Sequence, residues 1–485
     1  MKTIVIGAGI SGLTSAVYLQ RSGIQTLVLE QATTPGGVST SWKRKGYTFE
    51  GGIHWLIGAK ESIPLHQIWK ETGALQENNP VYFKDPIYTL VDEKGRMPLY
   101  RDLHGLELTG LRDRLALLTL RFHLLCFGGF HQPITDIRGL KSRHPRPFSL
   151  WEYIQMGAAA MITPFLLIQS AKGYAKRFRN PRIRALLAAV VEPDINALSL
   201  IYTLSTFAMG DSGYPKGGSL QMARNMAATF QQLGGEIRYR TPAQEVLRKG
   251  AGWAVRTADG VLEADAVVIS MDARSAIDRL FQPRLEDKWA QEMRKGLRTT
   301  QCMFLGVGVK ADLSDWPRSM QVVLPQTLEA AGLQYKTLVV NNYASVPEYA
   351  PEGCSVITCL LHGPSYAWWK AAREDGTYYA KKQEIMARFQ EALGQIIPEV
   401  KTCAEVTDMA TPLTYERYCS TFEGSYMSDW PPFQRLYHAP YRYAQGLYFT
   451  GQRTAYSGGL PPAAQSGRIT AQTVCRDLDV TFVSH

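Results

Sequence analysis

The sequence predicts an α/β protein, and three observations carry that reading. A short apolar strand, a glycine-rich turn and a helix open the chain. Buried-strand patterns recur far downstream, around residues 236–237, 245–247 and 264–270. Near the C-terminus a further strand ends on glycine and leads into a helix with small residues. The chain has 485 residues, more than one compact domain usually needs, so two interleaved or successive domains are expected.

The first strand is Thr3-Ile4-Val5-Ile6, a β-branched apolar run of the kind buried in parallel sheets. Gly7-Ala8-Gly9-Ile10-Ser11-Gly12 follows, then a helical pattern from Leu13 to Gln20 with Gly23 as its stop. A second strand, Thr26 to Leu29, ends on Glu30. This is a Rossmann-type dinucleotide-binding unit. Gly7 permits the tight turn, Gly9 lets backbone approach a pyrophosphate, and Gly12 lets the helix pack on the strand. The helix start at Ile10 and Ser11 offers free N–H groups and a positive dipole end to phosphate. The Glu30 carboxylate is placed to accept hydrogen bonds from ribose hydroxyls. GxGxxG alone is a weak signal, but here it stands in the full strand–helix–strand–acid context.

That motif does not separate one dinucleotide from another. The next segment does. Glu30-Gln31 leads to Pro35-Gly36-Gly37, and then to Tyr47-Thr48-Phe49-Glu50-Gly51-Gly52-Ile53-His54-Trp55. Here the chain resembles the FAD-dependent amine oxidase superfamily, and within it the phytoene desaturase, carotenoid isomerase and retinol saturase group. The resemblance implies FAD as cofactor. It places Gly36 and Gly37 at the flavin diphosphate, and Gly51, Gly52 and Ile53 at the isoalloxazine. A plain hairpin turn is the alternative for Gly51-Gly52.

The resemblance extends in blocks over nearly the whole chain. Tyr214-Pro215-Lys216-Gly217-Gly218-Ser219 precedes a helical pattern from Leu220 to Leu233, and the family pattern places the Val246 backbone near the adenine. Gly446-Leu447-Tyr448-Phe449-Thr450-Gly451 is a strand ending in glycine, and Gly459-Leu460-Pro461 opens a helix running to about Asp477. Its N-terminus can stabilise negative charge on a reduced flavin. Two positions depart from the family pattern. Gln452 stands where an acid usually binds the ribityl hydroxyls, and Val38 stands where many amine oxidases carry Arg. An amide still donates and accepts hydrogen bonds, so Gln452 remains a cofactor-binding candidate, while Val38 weakens an amine oxidase reading. The expected organisation is an FAD-binding domain from residues 1–59, 211–280 and 441–485, discontinuous in sequence. A mixed α+β substrate domain is expected from residues 60–210 and 281–440.

Bulk properties narrow the function classes. Net charge is +10, yet no zinc-finger spacing, RNA-binding signature or long basic block occurs, so nucleic acid is not an expected partner. The seven cysteines are irregularly spaced without a CxxC, which favours free thiols in a reducing compartment. The histidines show no metal-binding pair, so no metal is expected. The chain shows no signal peptide and no uninterrupted apolar run long enough to span a bilayer. The expected location is the cytoplasm. Apolar runs at 106–130 and 156–168, followed by Lys172, Lys176, Arg177, Arg179, Arg182 and Arg184, leave open peripheral contact with the inner face of a membrane. Substrate-domain core with these cations as a solvated basic edge is the equally weighted alternative, and residues 139–147 read as a basic loop. Oligomeric state is not legible.

Candidate chemistry residues are His54, which can exchange a proton beside the flavin, Glu423 in a stretch that approaches the flavin in the family, and Tyr456, which can close the site. A packed histidine and a structural loop carboxylate are the plain alternatives for the first two. The expected activity is FAD-dependent oxidation, reduction or isomerisation of carbon–carbon bonds in a hydrophobic isoprenoid or polyene substrate. Two other readings stay open. One is an amine or porphyrinogen oxidase. The other is a non-enzymatic prenyl-lipid-binding chaperone of the same architecture, which the intact glycine motifs and Glu30 oppose.

Overall fold

The computed structural model describes residues 1–485 except 78–79, 129–136, 138–148, 193, 430–440 and 455–457. Its first sheet has six strands in the order Tyr441–Ala444, Leu447–Phe449, Ala266–Ile269, Lys2–Ile6, Gln25–Leu29 and Glu236–Arg238. The last five run parallel, and only Tyr441–Ala444 is antiparallel to its neighbour. The register aligns Ile6 with both Leu29 and Ile269, and Ile269 with Phe449. The carboxyl ends of four strands therefore share one edge, where ligands bind in such sheets. Burial on both faces explains the near-continuous apolar runs: Ile4, Val5, Val28, Val267, Val268, Ile269 and Phe449 are inaccessible to solvent.

Two helices pack close against each other on this sheet. Ile10–Arg21 is buried from Ile10 through Leu19, and Leu460–Asp477 crosses it at Gly467. A Cβ on Gly467 would lie 2.4 Å from Ser11 O, and Ser15 Oγ donates to Gly467 O at 2.9 Å. The two ends of the chain are thus joined at the nucleotide turn. A small antiparallel sheet of Glu245–Lys249, Gly252–Thr257 and Gly260–Ala264 flanks the large one.

The second large sheet has seven strands in the order Ala404–Ala410, Cys302–Val309, Ser355–His362, Leu333–Asn342, Ser319–Ala330, Tyr88–Asp92 and Gly95–Leu99. It is antiparallel except where Ser319–Ala330 meets Tyr88–Asp92. Helices Leu111–Gly128, Leu150–Leu167, Pro181–Ala188 and Ala197–Ala208 share a core that includes Leu120, Leu186, Leu200 and Phe207. Ser149 begins the second of these with a capping box to Glu152.

Candidate cofactor and substrate site

The nucleotide turn is built by glycines with different duties. Gly7 has φ +105°, and its N–H donates to Leu29 O at 2.8 Å. A Cβ on Gly12 would lie 2.1 Å from Gly7 O, so the helix packs here only without a side chain. Gly9 is unlike both. Its φ of −73° suits any residue, and a Cβ there would meet nothing nearer than Gly36 O at 4.0 Å. The empty space faces an N-terminus that Gly9 leaves without a side-chain cap. Gly36 donates its N–H to Ala8 O at 2.9 Å, which brings Gly36-Gly37 alongside Gly9. This backbone cradle, at a helix N-terminus, fits a diphosphate.

Glu30 sits at the carboxyl end of its strand, almost fully buried. Its Oε2 accepts from Ala8 N–H at 2.7 Å and its Oε1 from Ala32 N–H at 2.8 Å. Burial raises its pKa against those donors. Glu30 therefore fixes the turn and also lines the cavity, with lone pairs left for a ribose. Gln31 lines the cavity too, but its amide is engaged: Nε2 donates to Tyr418 O at 2.7 Å, and Oε1 accepts from Ser420 Oγ at 2.8 Å.

From the other chain end, Gly451, Gln452, Gly459, Leu460 and Pro461 line the same cavity as Gly7, Gly9, Ile10, Ser11, Gly36 and Gly37. Gly451 N–H donates to Ser466 Oγ at 3.0 Å. The Gln452 amide bridges two segments, donating to Tyr426 O at 2.9 Å and accepting from Gly459 N–H at 3.1 Å. Its neighbour Arg453, buried, pairs with Asp272 at 2.8 Å and donates to Met427 O and Ser425 O. These contacts tie the start of the last helix to the 425–427 segment.

Gly51, Gly52 and Ile53 also line the cavity. Their turn is held by Glu50, a buried carboxylate that sequence reasoning missed. Glu50 accepts from Gly52 N–H at 2.7 Å, Ser219 N–H at 3.0 Å, Ser219 Oγ at 2.6 Å and Tyr349 Oη at 3.1 Å. A Cβ on Gly52 would strike Ser219 Oγ at 2.1 Å, so this glycine is demanded by packing as well.

The cavity is continuous, about 1190 Å³, and extends from the nucleotide turn past Gly51-Gly52 to the second large sheet. Ile195, Leu198, Val339 and Leu360 give its far part an apolar wall. Two imidazoles face it. His54 Nδ1 accepts from the Asn341 amide at 3.1 Å, and burial, reinforced by the charges of Lys84 and Arg318, lowers its pKa to about 3. Asn341 Oδ1 in turn accepts from Ser319 Oγ at 2.8 Å, which accepts from Lys84 Nζ at 2.7 Å. His54 is therefore neutral with its proton on Nε2. The second imidazole, His362, lies 3.0 Å from the Tyr426 hydroxyl through Nε2, and burial lowers its pKa to about 4. Glu192, beside both, completes a cluster from three distant segments that no local motif announces.

Two of the expected site residues stand off the cavity wall. Glu423 does not line the cavity: its carboxylate accepts from Gln301 Nε2 at 3.4 Å, and the backbone turns at φ +48°. Tyr426, three residues on, faces the cavity instead. Val246 is set behind the wall, its N–H donating to Leu280 O at 2.7 Å, while Pro242, Ala243 and Gln244 line the cavity there. Tyr456 lies outside the described residues, as does the basic loop 139–147.

A parallel sheet with a glycine cradle at its carboxyl edge, opening into a chamber with an apolar wall and two buried imidazoles, is the architecture of a dinucleotide-dependent oxidoreductase. The model of the flavin-containing amine oxidoreductase family matches residues 10–475. The chain belongs to that family and is an FAD-dependent oxidoreductase. It is similar to the chloroplastic prolycopene isomerase of Daucus carota, 23% identical over 507 residues that cover 98% of this chain and 80% of the relative. The neurosporene-forming phytoene desaturase of Rhodobacter capsulatus is 23% identical over 518 residues, covering 98% of this chain and 94% of the relative. Among solved structures, a putrescine oxidase double mutant superposes with TM-score 0.65 at 15% identity, covering 98% of this chain and 99% of the other. That likeness is one of fold.

Proposed function

We propose that the protein changes carbon–carbon bonds in a hydrophobic polyene or isoprenoid, by desaturation, saturation or isomerisation. The observation that carries this reading is the apolar chamber joined directly to the glycine cradle, with His54 and His362 both held neutral by burial. The named activities of the relatives, a prolycopene isomerase and a phytoene desaturase, support the same class. Bound FAD supplies a two-electron hydride acceptor or donor. Gly9, Gly36, Gly37, Glu30 and the start of the last helix hold it. Gly51-Gly52, which line the cavity, would let backbone approach the flavin ring, and the apolar wall would exclude water from the reacting carbons. Incubation of FAD-loaded protein with prolycopene and with phytoene, followed by chromatography of the extracted pigments, tests the reading. Peroxide release from amines, with no polyene converted, overturns it in favour of the amine oxidase alternative.

A second part of the proposal concerns delivery. Helix Leu111–Gly128 exposes Leu111, Leu115, Leu118, Phe122 and Leu125. Helix Leu150–Leu167 exposes Leu150, Trp151, Ile154, Met161 and Phe165. The first set recurs at helical spacing along one face. The Gln155 amide donates to Leu125 O at 2.7 Å, which ties the two helices together. Thr163 of the second helix lines the cavity, and exposed Lys172, Lys176 and Arg177 follow it. An apolar face edged with cations, one helix thick from the chamber, suits an anionic bilayer surface. No helix among the described residues is long and apolar enough to cross a membrane.

A further inference from the structure

Glu192 follows helix Pro181–Ala188, His362 ends strand Ser355–His362, and Tyr426 precedes strand Met427–Asp429. The fold brings all three to the cavity wall. The Tyr426 hydroxyl lies 3.0 Å from His362 Nε2 and 3.3 Å from Glu192 Oε1. His362 Nδ1 is 3.7 Å from the same Glu192 oxygen, and the imidazole and phenol rings stack at 5.7 Å with 10° between their planes. The backbone fixes the group from both sides. Tyr426 N–H donates to Thr300 O at 3.0 Å, its O accepts from Gln452, and His362 O accepts from Tyr335 Oη at 3.0 Å.

A phenol has one hydrogen to give and here meets two acceptors. Burial keeps the imidazole neutral and ready to accept, while burial and the Glu192 charge keep the phenol protonated. The buried cluster around Glu50 provides a contrast. There Tyr214 and Tyr349 also approach a carboxylate, but backbone N–H groups satisfy Glu50, and neither tyrosine reaches the cavity. That cluster is structural. The Tyr426 hydroxyl, with an imidazole and a carboxylate behind it and a chamber in front, has the order hydroxyl–base–carboxylate of an activated proton carrier.

We propose that Tyr426, His362 and Glu192 form the proton relay of this enzyme, with the Tyr426 oxygen as the atom that exchanges a proton with a substrate carbon. The assignment rests on the carbon–carbon reading given above. In desaturation, one C–H bond breaks with its electron pair leaving as hydride, which bound FAD would accept. The C–H bond on the neighbouring carbon breaks with its pair becoming the new π bond. The released proton goes to the Tyr426 oxygen while the hydroxyl's own proton passes to His362 Nε2. The imidazolium so formed stands beside the Glu192 carboxylate. Saturation would run the same transfers backward with bound FAD supplying the hydride, and isomerisation adds and removes one proton with no net electron change. Tyr426 is the catalytic residue of the relay. His362 and Glu192 act through it.

The test uses FAD-loaded wild type and two variants, Tyr426→Phe and Glu192→Gln, with prolycopene and phytoene in D2O, beside a titration of 15N-histidine-labelled protein without substrate. Where wild type isomerises or saturates, it is expected to place solvent deuterium in the polyene; where it desaturates, deuterium is expected only in recovered substrate, through reversal of the proton step. Tyr426→Phe should lower both turnover and deuterium incorporation about 100-fold, the lower end of what a positioned acid or base contributes, at unchanged flavin content. Glu192→Gln should lower the His362 titration midpoint and reduce kcat with KM held. Tyr426→Phe with wild-type deuterium incorporation, or 15N signals of His362 unmoved by either variant, overturns the relay. If wild type converts neither polyene while the 15N signals of His362 respond to Tyr426→Phe, the carbon–carbon reading falls and the hydrogen-bonded triad stands.

Discussion

Replacing Gly9 by alanine separates holding the cofactor from holding the fold. The φ of −73° accepts an L-residue, and the new Cβ has no heavy atom nearer than Gly36 O at 4.0 Å. The apo protein should therefore lose no stability. Lower entropy of the unfolded chain should raise it by about 0.4–1 kcal/mol. The same methyl group stands where a diphosphate must approach the helix N-terminus. Losing one charge-assisted bond there costs about 1.5–3 kcal/mol, roughly a 10- to 100-fold weaker Kd. Gly12→Ala should do the reverse. Its Cβ would lie 2.1 Å from Gly7 O and 2.4 Å from Ser270 Oγ, so helix and strand must part, at about 1–3 kcal/mol or more. Thermal unfolding of flavin-free protein measures the first quantity, and quenching of FAD fluorescence on titration measures the second. If Gly9→Ala destabilises the apo protein, or binds FAD within twofold of wild type, the space before Gly9 is not the phosphate site.

Other expectations follow from the same geometry. Glu30→Ala strands the buried N–H of Ala8 and frees the half-buried N–H of Ala32, so it should cost about 1–3 kcal/mol in the apo protein as well as weakening FAD; an unchanged apo melting curve refutes the tie. His54 and His362 have pKa values depressed to about 3 and about 4, so their contribution to stability is complete above the unfolded value near 6.5 and is lost as pH falls through it toward 4. The slope is at most about 1.4 kcal/mol per pH unit for each, reduced by water in the chamber. Urea midpoints of apo protein between pH 7 and 5 check this, and a midpoint that does not fall contradicts it. Charge reversal at Lys172, Lys176 and Arg177 should weaken binding to phosphatidylserine liposomes by about 1 kcal/mol per cation lost, with FAD content unchanged. Wild type that stays in the supernatant at low salt refutes membrane contact.

The nucleotide half was legible because its chemistry is local. Gly7, Gly9, Gly12 and Glu30 lie within one strand–helix–strand unit, and each has a steric or hydrogen-bonding duty that spacing reveals. The far half of the cavity was not legible, because proximity there is made by the seven-stranded sheet. Glu192, His362 and Tyr426 are separated by more than sixty residues at each step, and no turn or helix period links them. The Glu423–Tyr426 stretch was singled out, yet sequence alone cannot say which residue of a bent segment faces inward. The left-handed turn at Glu423 decides for Tyr426. Gln452 shows a further limit. It lines the cavity as a cofactor-binding candidate should, and its amide also joins Tyr426 to the start of the last helix, a tie that spacing does not announce.

The order of strands in the six-stranded sheet has a consequence for how the protein is made. Lys2–Ile6 leaves the ribosome well before its neighbour Ala266–Ile269, about 260 residues downstream, and the helix that seals its turn, Leu460–Asp477, follows later still. During synthesis the opening segment carries apolar surface without its final partner, while most strands of the second sheet, from 302 to 410, become available within one later stretch. Pairing across such separations is slow and leaves edges exposed meanwhile. The half of the molecule that is easiest to recognise in the sequence is thus a half whose strands must wait for distant partners, and the cradle is complete only once Leu460–Asp477 has been made.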